Sequence, residues 1–158
     1  MQVYQDSVNG QFQFNTPPKR IVSLVPSITE WLIDTGAEVV GRTKFCIHPS
    51  AAVENIPVIG GTKNFRFSEI EELNPDLIIG NKEENYREGI NQLKVKFPVW
   101  ITDIQSFHDA IDCFDMIAQI IDLELKWATV KQALLEKHKS QKESKSGRVM
   151  YLIWKDPY

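Results

Sequence analysis

The stretch from Lys19 to Pro49 constrains the fold more than any other part of the chain. It begins with a short apolar run, Ile21 to Val25, of the kind that is buried in a parallel sheet. Pro26 ends this strand, because proline lacks the N–H that a sheet ladder needs. A helix follows. Gly36 occupies the position just after its end, where many helices have a residue with a left-handed backbone conformation. Extended sequence resumes at Glu38, so the stretch predicts one β-α-β unit.

Three Ser-x-x-acid patterns predict where helices begin. In such a capping box the serine accepts a hydrogen bond from a free helix N–H, and the acid three residues later bonds back. The pairs are Ser27 with Glu30, Ser68 with Glu71, and Ser106 with Asp109. The last pair precedes a one-faced apolar pattern over residues 107–121, and a second long helix is predicted over about 125–143.

Further strands alternate with these helices. Short apolar runs at 76–80 and 98–101 predict two of them, and 58–62 is a short apolar stretch that ends in a flexible glycine pair. Strands that alternate with helices form a parallel sheet with right-handed crossovers, which is the architecture of an α/β fold. In front of this sheet, residues 2–14 predict a hairpin, because Asn9-Gly10 suits a type I′ turn with two positive φ angles.

A final apolar run, Arg148 to Trp154, is followed by no further helix or strand. Leaving several large apolar side chains in water costs about 1.5–3 kcal/mol each, so this strand needs a partner. We expect it to begin a second lobe that the chain lacks or that a partner molecule supplies. The alternatives are addition to the edge of the first sheet and a dimer that exchanges the strand at Val149.

Composition excludes some classes of function. The chain has 158 residues, 42% of them apolar, which is enough for one domain with a substantial core. The net charge of −3 and the lack of a long basic block argue against a nucleic-acid partner. No apolar run approaches the roughly 18 residues of a membrane span. The polar start contains no leader, so either the protein is cytoplasmic or Met1 replaces a removed leader.

The two cysteines do not have metal-type spacing. We expect Cys46 and Cys113 to be buried reduced thiols, with a disulfide as the alternative. Cys46 and His48 have side chains that ligate metals, but two ligands do not make a site. His48 is more simply a surface residue or a side chain that touches an organic ligand. The protein is therefore not expected to bind a metal directly.

Ligands of open parallel sheets bind beyond the carboxyl ends of the strands. Here those ends are the segments 26–27, 42–45, 81–82 and 102–103, and the loop 60–63 is expected on the same edge. They carry helix-start N–H groups, cations and an aromatic, which suit a ligand with carboxylate, phosphate or amide groups. The sequence contains no glycine-rich phosphate loop, no nucleophile elbow and no paired carboxylates, so no enzyme is predicted.

Two stretches carry a resemblance to a known family: KRIVSLVPSITEWLIDTGAEVVGRTKFCIHP and IGGTKNFRFSEIEELNPDLIIGNKEEN, followed by the helical spacer. From about residue 15 onward the chain resembles the substrate-binding proteins of ABC importers for cobalamin, ferric siderophores and haem, the helical-backbone metal receptors. The resemblance implies a class III periplasmic-binding-protein fold, in which a long helix joins two α/β lobes. It implies a Rossmann-like first lobe over residues 1–103, a helical backbone over 104–146 and the start of a second lobe at 147–158.

The resemblance also implies which residues make contacts. Ligand would touch Pro26, Ser27, Phe45, His48, Thr62, Lys63, Asn81 and Lys82 from the first lobe, and Trp154 and Tyr158 from the second. The glutamate that docks on the permease falls at Ser68, where Glu69 or Glu71 would replace it. Without the resemblance, these two glutamates are most simply part of a solvated helix face.

The resulting hypothesis is a binding protein that captures a metal chelate between two lobes and delivers it to an ABC permease. The choice among cobalamin, a ferric siderophore and haem stays open, and no cofactor is implied besides this ligand. The implied location is periplasmic, or extracytoplasmic and membrane-associated. The alternative hypothesis is a small cytoplasmic α/β regulator or enzyme that shares the fold of the lobe.

Overall fold

The computed structural model describes residues 2–141. The strands are β1 Tyr4–Gln5, β2 Gln11–Phe12, β3 Ile21–Ser23, β4 Val39–Arg42, β5 Gly60–Gly61, β6 Asn64–Phe65, β7 Leu77–Asn81 and β8 Val99–Thr102. The helices are α1 Pro26–Thr35, α2 Ser50–Val53, α3 Phe67–Leu73, α4 Arg87–Lys94, α5 Phe107–Ile120 and α6 Glu124–Gln141. The predicted strand from Arg148, the residues Trp154 and Tyr158, and the segment 147–158 lie outside the described residues, and the predicted division into lobes stays a prediction.

The central sheet has four parallel strands in the order β4-β3-β7-β8. One face is covered by α1, α5 and α6, which bury Trp31, Ile117 and Trp127 against it. The other face is covered by α3 and α4, which contribute Ile70 and Leu93 to a second apolar cluster. Because helices cover both faces, the strands are continuous apolar runs rather than alternating ones. The predicted parallel α/β fold is confirmed for this part of the chain.

The first β-α-β unit folds as predicted, but its helix begins differently. Pro26 is the first residue of α1, and the preceding Val25 makes no side-chain capping bond. Proline suits this position because its φ is already helical and it has no N–H to leave unpaired. Ser27 therefore lies inside the helix, and the predicted capping box with Glu30 is wrong. At the other end Gly36 has φ 82°, and its N–H donates to Ile33, as predicted for a glycine stop.

The other two capping boxes have different outcomes. At α3 the helix begins at Phe67, one residue before Ser68, and no side chain caps it, so that prediction is wrong as well. At α5 the prediction is confirmed for the serine, since Ser106 Oγ accepts from Asp109 N at 3.1 Å. The carboxylate of Asp109 instead accepts from Gln105 N, at 3.1 Å.

The hairpin is present, but its turn is not type I′. β1 and β2 pair antiparallel, and Asn9 has φ 66°, whereas Gly10 is not left-handed. The loop is closed by the carboxylate of Asp6, whose Oδ1 accepts from Val8 N at 3.0 Å and from Gly10 N at 2.6 Å. Asp6 Oδ2 accepts from Ile101 N at 3.0 Å, so the same side chain fastens the hairpin to the edge strand β8.

The last two described helices form an antiparallel pair. The turn between them contains Asp122 with φ 60°, at the predicted break. Phe107, at the start of α5, stacks on His138 near the end of α6, with ring centroids 3.9 Å apart. The sequence predicts an apolar stripe on α6 at Trp127, Val130, Leu134 and Leu135, of which only Trp127 is buried. Three of its members are 36–40% exposed, because α6 packs along one side of α5; these are Val130, Leu134 and Leu135.

Candidate functional site

The carboxyl ends of the four parallel strands form one edge of the sheet. We call it the carboxyl edge and define it as segments 26–27, 42–48, 60–63, 81–85 and 102–103. All eight ligand-contacting residues predicted in the described part of the chain lie in these segments. Ser27, Phe45, His48, Lys63 and Lys82 are exposed there, and Pro26, Thr62 and Asn81 are half-buried.

The loop after β4 presents apolar side chains to solvent. Arg42 holds this loop from inside: its Nε donates to Val53 O at 2.9 Å and its Nη1 to Cys46 O at 3.1 Å. With the backbone fixed in this way, Phe45 is 51% exposed and Ile47 is 58% exposed. Lys44 Nζ lies 5.0 Å from the Phe45 ring centroid, so an aromatic face and a cation occupy the same part of the edge.

A buried polar cluster ties this loop to α1. Thr29 Oγ1 lies within hydrogen-bond distance of Ser23 Oγ, at 2.8 Å, and of Cys46 Sγ, at 3.1 Å. Thr43 Oγ1 lies 3.2 Å from the same sulfur. The four side chains are fully buried, so the cluster positions the loop and does not contact a ligand itself. Thr29 was missed at the sequence level, where a polar residue in an apolar helix pattern was its only signal.

Both cysteine thiols are free. Cys46 is buried, as predicted, and Cys113 on α5 is half-buried. Burial raises the pKa of the Cys113 thiol to about 12, so the thiolate is scarce at neutral pH. Cys46 is enclosed by threonine hydroxyls while His48 is exposed, so the two side chains do not share a metal position. Residues 2–141 contain no group of three metal-ligating side chains placed to hold an ion.

Asn85 joins the end of β3, the end of β7 and the loop 60–63, and was also missed. Its Nδ2 donates to Thr62 O at 3.0 Å and to Leu24 O at 3.4 Å. Its Oδ1 accepts from Asn81 N at 2.8 Å. Gly80 makes room for it, because a Cβ at Gly80 would lie 2.8 Å from this oxygen. One buried amide therefore fixes the ends of β3 and β7 relative to the β5–β6 hairpin.

The segment after β7 is a turn rather than the start of a helix. Asn81 Oδ1 accepts from Glu83 N at 2.9 Å and from Glu84 N at 3.1 Å. The sequence predicts a helix over about 83–95 with Asn81 as its cap, and the start of this prediction is wrong, because α4 begins at Arg87. The amide of Asn81 also donates to Thr102 Oγ1 at 3.2 Å, which links the ends of β7 and β8.

An ion pair neutralises one of the predicted cations. Lys82 Nζ lies 2.5 Å from Asp103 Oδ2. Their hydrogen bond raises the pKa of Lys82 and lowers the pKa of Asp103. Lys44 and Lys63, by contrast, have no carboxylate within 4.0 Å in the described part of the chain. The positive charge of the edge is therefore concentrated around the loops 42–48 and 60–63.

The predicted docking residues lie on α3. Glu69 pairs with Arg66 at 2.5 Å, and Glu71 pairs with Lys96 at 2.6 Å. Ser68 is exposed beside them. Both ion pairs are on the surface, where such pairs contribute about 0–1 kcal/mol to stability. The carboxylates are consequently held in place, yet can exchange partners at low cost.

Comparison with known proteins identifies the family of the chain. A family model described as periplasmic binding protein matches residues 21–149. The chain belongs to this family. It is 30% identical over 127 residues to YvrC of Bacillus subtilis (strain 168), an uncharacterized ABC transporter substrate-binding lipoprotein. That alignment covers 77% of this chain and 40% of the relative.

Several solved structures share the fold. A periplasmic haem binding protein from Pseudomonas aeruginosa has a TM-score of 0.72 at 19% identity, over 80% of this chain and 46% of that protein. The vitamin B12 binding protein BtuF of Vibrio cholerae has a TM-score of 0.69 at 22% identity, with coverages of 81% and 52%. The molybdate periplasmic binding protein MolA of Haemophilus influenzae has a TM-score of 0.79 at 14% identity, with coverages of 90% and 53%.

The chain thus spans 40% of the curated relative and about half of these solved proteins. The class III architecture predicted from the sequence is confirmed for the described residues. Among residues 2–141, no helix combines the length and the apolarity needed to cross a bilayer.

Proposed function

We propose that this chain is the first lobe and helical backbone of a substrate-binding protein of an ABC importer, and that its ligand is a metal chelate. Cobalamin, a ferric siderophore and haem are the candidate ligands. The proposal rests on the carboxyl edge, where Phe45 and Ile47 expose more than half of their surface beside His48, Asn81 and two unpaired lysines. Membership of a family of binding proteins favours this function over the alternative of a cytoplasmic regulator or enzyme.

The chemistry of the edge matches the chemistry of such chelates. Large apolar side chains gain about 1.5–3 kcal/mol each when they are taken out of water. A chelate offers a wide, weakly polar surface to cover them, and carbonyl, amide or carboxylate groups at its margin. Lys44 and Lys63 can pair with carboxylates, and Asn81 and Thr62 can hydrogen-bond to amides. The lobe contributes binding and orientation only, and we propose no catalytic role.

In the proposed mechanism the ligand is gripped between this edge and a second lobe, and is then handed to the permease. The second-lobe contacts predicted at Trp154 and Tyr158 stay predictions. A single lobe makes about half of the contacts, so it should bind the chelate weakly. The place of action is extracytoplasmic, which agrees with a lipoprotein among the relatives.

Replacing Phe45 with serine should weaken chelate binding to the 158-residue chain at least five-fold, because the change removes the exposed aromatic ring of the edge. We would titrate haemin, cyanocobalamin and ferric desferrioxamine separately and follow binding by calorimetry. Val95 is the matched control: it is 81% exposed and ends α4 on the side of the sheet away from the carboxyl edge. Equal affinities for the wild type, Phe45→Ser and Val95→Ser would refute the assignment of the ligand to this edge.

We further propose that Ser68, Glu69 and Glu71 dock on the permease, because they form a polar, partly acidic surface on α3. The double change Glu69→Lys with Glu71→Lys should reduce chelate-dependent growth of the native host at least ten-fold, while chelate affinity stays unchanged. Repulsion between like charges at the docking interface is the physical reason. Glu136→Lys on α6, an exposed glutamate away from α3, is the control. Undiminished growth of the double variant would exclude this surface from docking.

The proposed dimer through the strand at Val149 depends on residues outside the described part of the chain. Light scattering on the 158-residue chain tests it directly, and a monomer at all concentrations would remove that hypothesis.

A further inference from the structure

A cavity of about 370 Å³ lies on the flank of the sheet, between α4, β8 and the loop of the β1–β2 hairpin. We call it the flank cavity. Three residues form its apolar floor: Val8 from the hairpin loop, Ile90 from α4 and Ile101 from β8. Its volume is within the range of about 300–1,000 Å³ that is usual for small-molecule sites.

The floor of the flank cavity is rigid. Ile90 and Ile101 are 7% and 4% exposed and belong to the apolar cluster against which Val8 packs. The hairpin loop is held to β8 by two bonds to Ile101, one from Ser7 N to its carbonyl at 3.2 Å and one from its N–H to Asp6 Oδ2 at 3.0 Å. A ligand would therefore meet a preformed surface.

One wall of the flank cavity carries unpaired positive charge. Arg87, Asn91 and Lys94 line it and follow the i, i+4, i+7 spacing, so they lie within an arc of about 60° on α4. In the described part of the chain, no carboxylate oxygen lies within 4.0 Å of Arg87 or Lys94. Lys82, which also borders the cavity, is already paired with Asp103.

We infer that the flank cavity binds small organic dianions with an apolar centre, of which an aromatic dicarboxylate is the simplest example. Seven residues of helix separate the two free cations by about 10 Å along the axis, so one ligand can pair with both. The amide of Asn91 lies between them and can donate to a carboxylate. The apolar floor accepts the centre of the molecule, which an inorganic anion lacks.

This site is distinct from the exposed Phe45 loop, and it does not depend on the proposed function. Asn81, Lys82 and Asn85 border both the flank cavity and the carboxyl edge, but the groups that select the ligand here are on α4. A chelate titration that fails would leave the flank cavity unaffected, and the converse also holds.

The test is a titration of the 158-residue chain with isophthalate, benzoate and inorganic phosphate, followed by backbone amide NMR. Isophthalate should bind with a dissociation constant below about 1 mM, with the largest shifts at residues 90–94 and 101. Benzoate and phosphate should bind at least five-fold more weakly, because each lacks either the second charge or the apolar centre.

Substitutions identify the charges involved. Arg87→Gln and Lys94→Gln should each weaken isophthalate binding at least five-fold. Lys137→Gln changes an exposed lysine of α6 and should leave isophthalate binding unchanged. Both tested residues are exposed helix positions, so the variants should fold. Equal binding of all three anions, shifts spread over the lysines of the surface, or affinity that survives both substitutions would each overturn the proposal.

Discussion

Replacing Trp31 with alanine is expected to lower the free energy of unfolding by about 3–5 kcal/mol, the range for large aromatic residues in a core. Trp31 is 8% exposed and lies where three helices meet. Its ring stacks on Phe114 of α5 with centroids 4.6 Å apart, and it meets Trp127 of α6 edge to face at 5.6 Å. Its loss opens a cavity that the rigid sheet cannot fill. Since domains are stable by only about 5–15 kcal/mol, this single change removes much of the total.

Urea denaturation followed by circular dichroism measures this loss, and Trp31→Phe is the matched variant. The phenylalanine keeps a stacked ring, and it also removes an indole N–H that has no hydrogen-bond partner among the described residues. We therefore expect Trp31→Phe to cost less than half as much as Trp31→Ala. A loss below about 1 kcal/mol for the alanine variant would mean that α5 and α6 are not held to the sheet through this residue.

Replacing Asn85 with alanine is expected to lower the free energy of unfolding by about 2–3 kcal/mol. We expect the same change to weaken chelate binding. The change leaves the carbonyl groups of Thr62 and Leu24 and the N–H of Asn81 without their partner. Each buried polar group left unpaired costs about 1–3 kcal/mol, and the half-buried position of Thr62 lets water replace part of the loss. The β5–β6 hairpin should then move relative to the strand ends.

Asn55→Ala is the control, because Asn55 is exposed and lies outside the carboxyl edge. Hydrogen exchange gives a local measure: in Asn85→Ala the amides of residues 60–65 should exchange faster, while those of β8 remain protected. If the Asn85→Ala variant matched the Asn55→Ala variant in both stability and exchange, the joining role of Asn85 would be wrong.

The parts of the fold that follow from local patterns were predictable. Three such features depend only on the conformational preferences of the residues that form them: the strand before Pro26, the glycine stop at Gly36 and the apolar strand at 77–80. The order of the strands, β4-β3-β7-β8, was not predicted, because right-handed crossovers fix the side on which each helix lies but leave the order open. The two failed capping boxes show the limit of such patterns, because each helix begins at the residue before the serine, Pro26 or Phe67, two residues earlier than a serine cap would place it.

The features that the sequence did not reveal depend on contacts between distant residues. Lys82 and Asp103 are 21 positions apart, and their pairing required knowledge that β7 and β8 are neighbours. Asn85 hydrogen-bonds to Leu24, which is 61 positions away, and to Thr62, which is 23 positions away. Nothing near Asn85 in the sequence therefore marks it as buried. In the same way, the exposure of Phe45 and Ile47 follows from the loop geometry set by Arg42. The topology thus predicted which segments form the carboxyl edge, but it did not predict which of their side chains are exposed, paired or buried.

Backbone amide NMR of the 158-residue chain with the three chelates tests the central claim most directly. Haemin and ferric desferrioxamine contain paramagnetic iron, which broadens nearby amide signals, and cyanocobalamin is followed by chemical shift. We predict that at least one chelate perturbs the amides of residues 43–48, 60–63 and 81–82, and leaves those of 92–96 unchanged. If no chelate perturbed these segments, or if the perturbed amides lay elsewhere on the lobe, the assignment of chelate capture to the carboxyl edge would be contradicted.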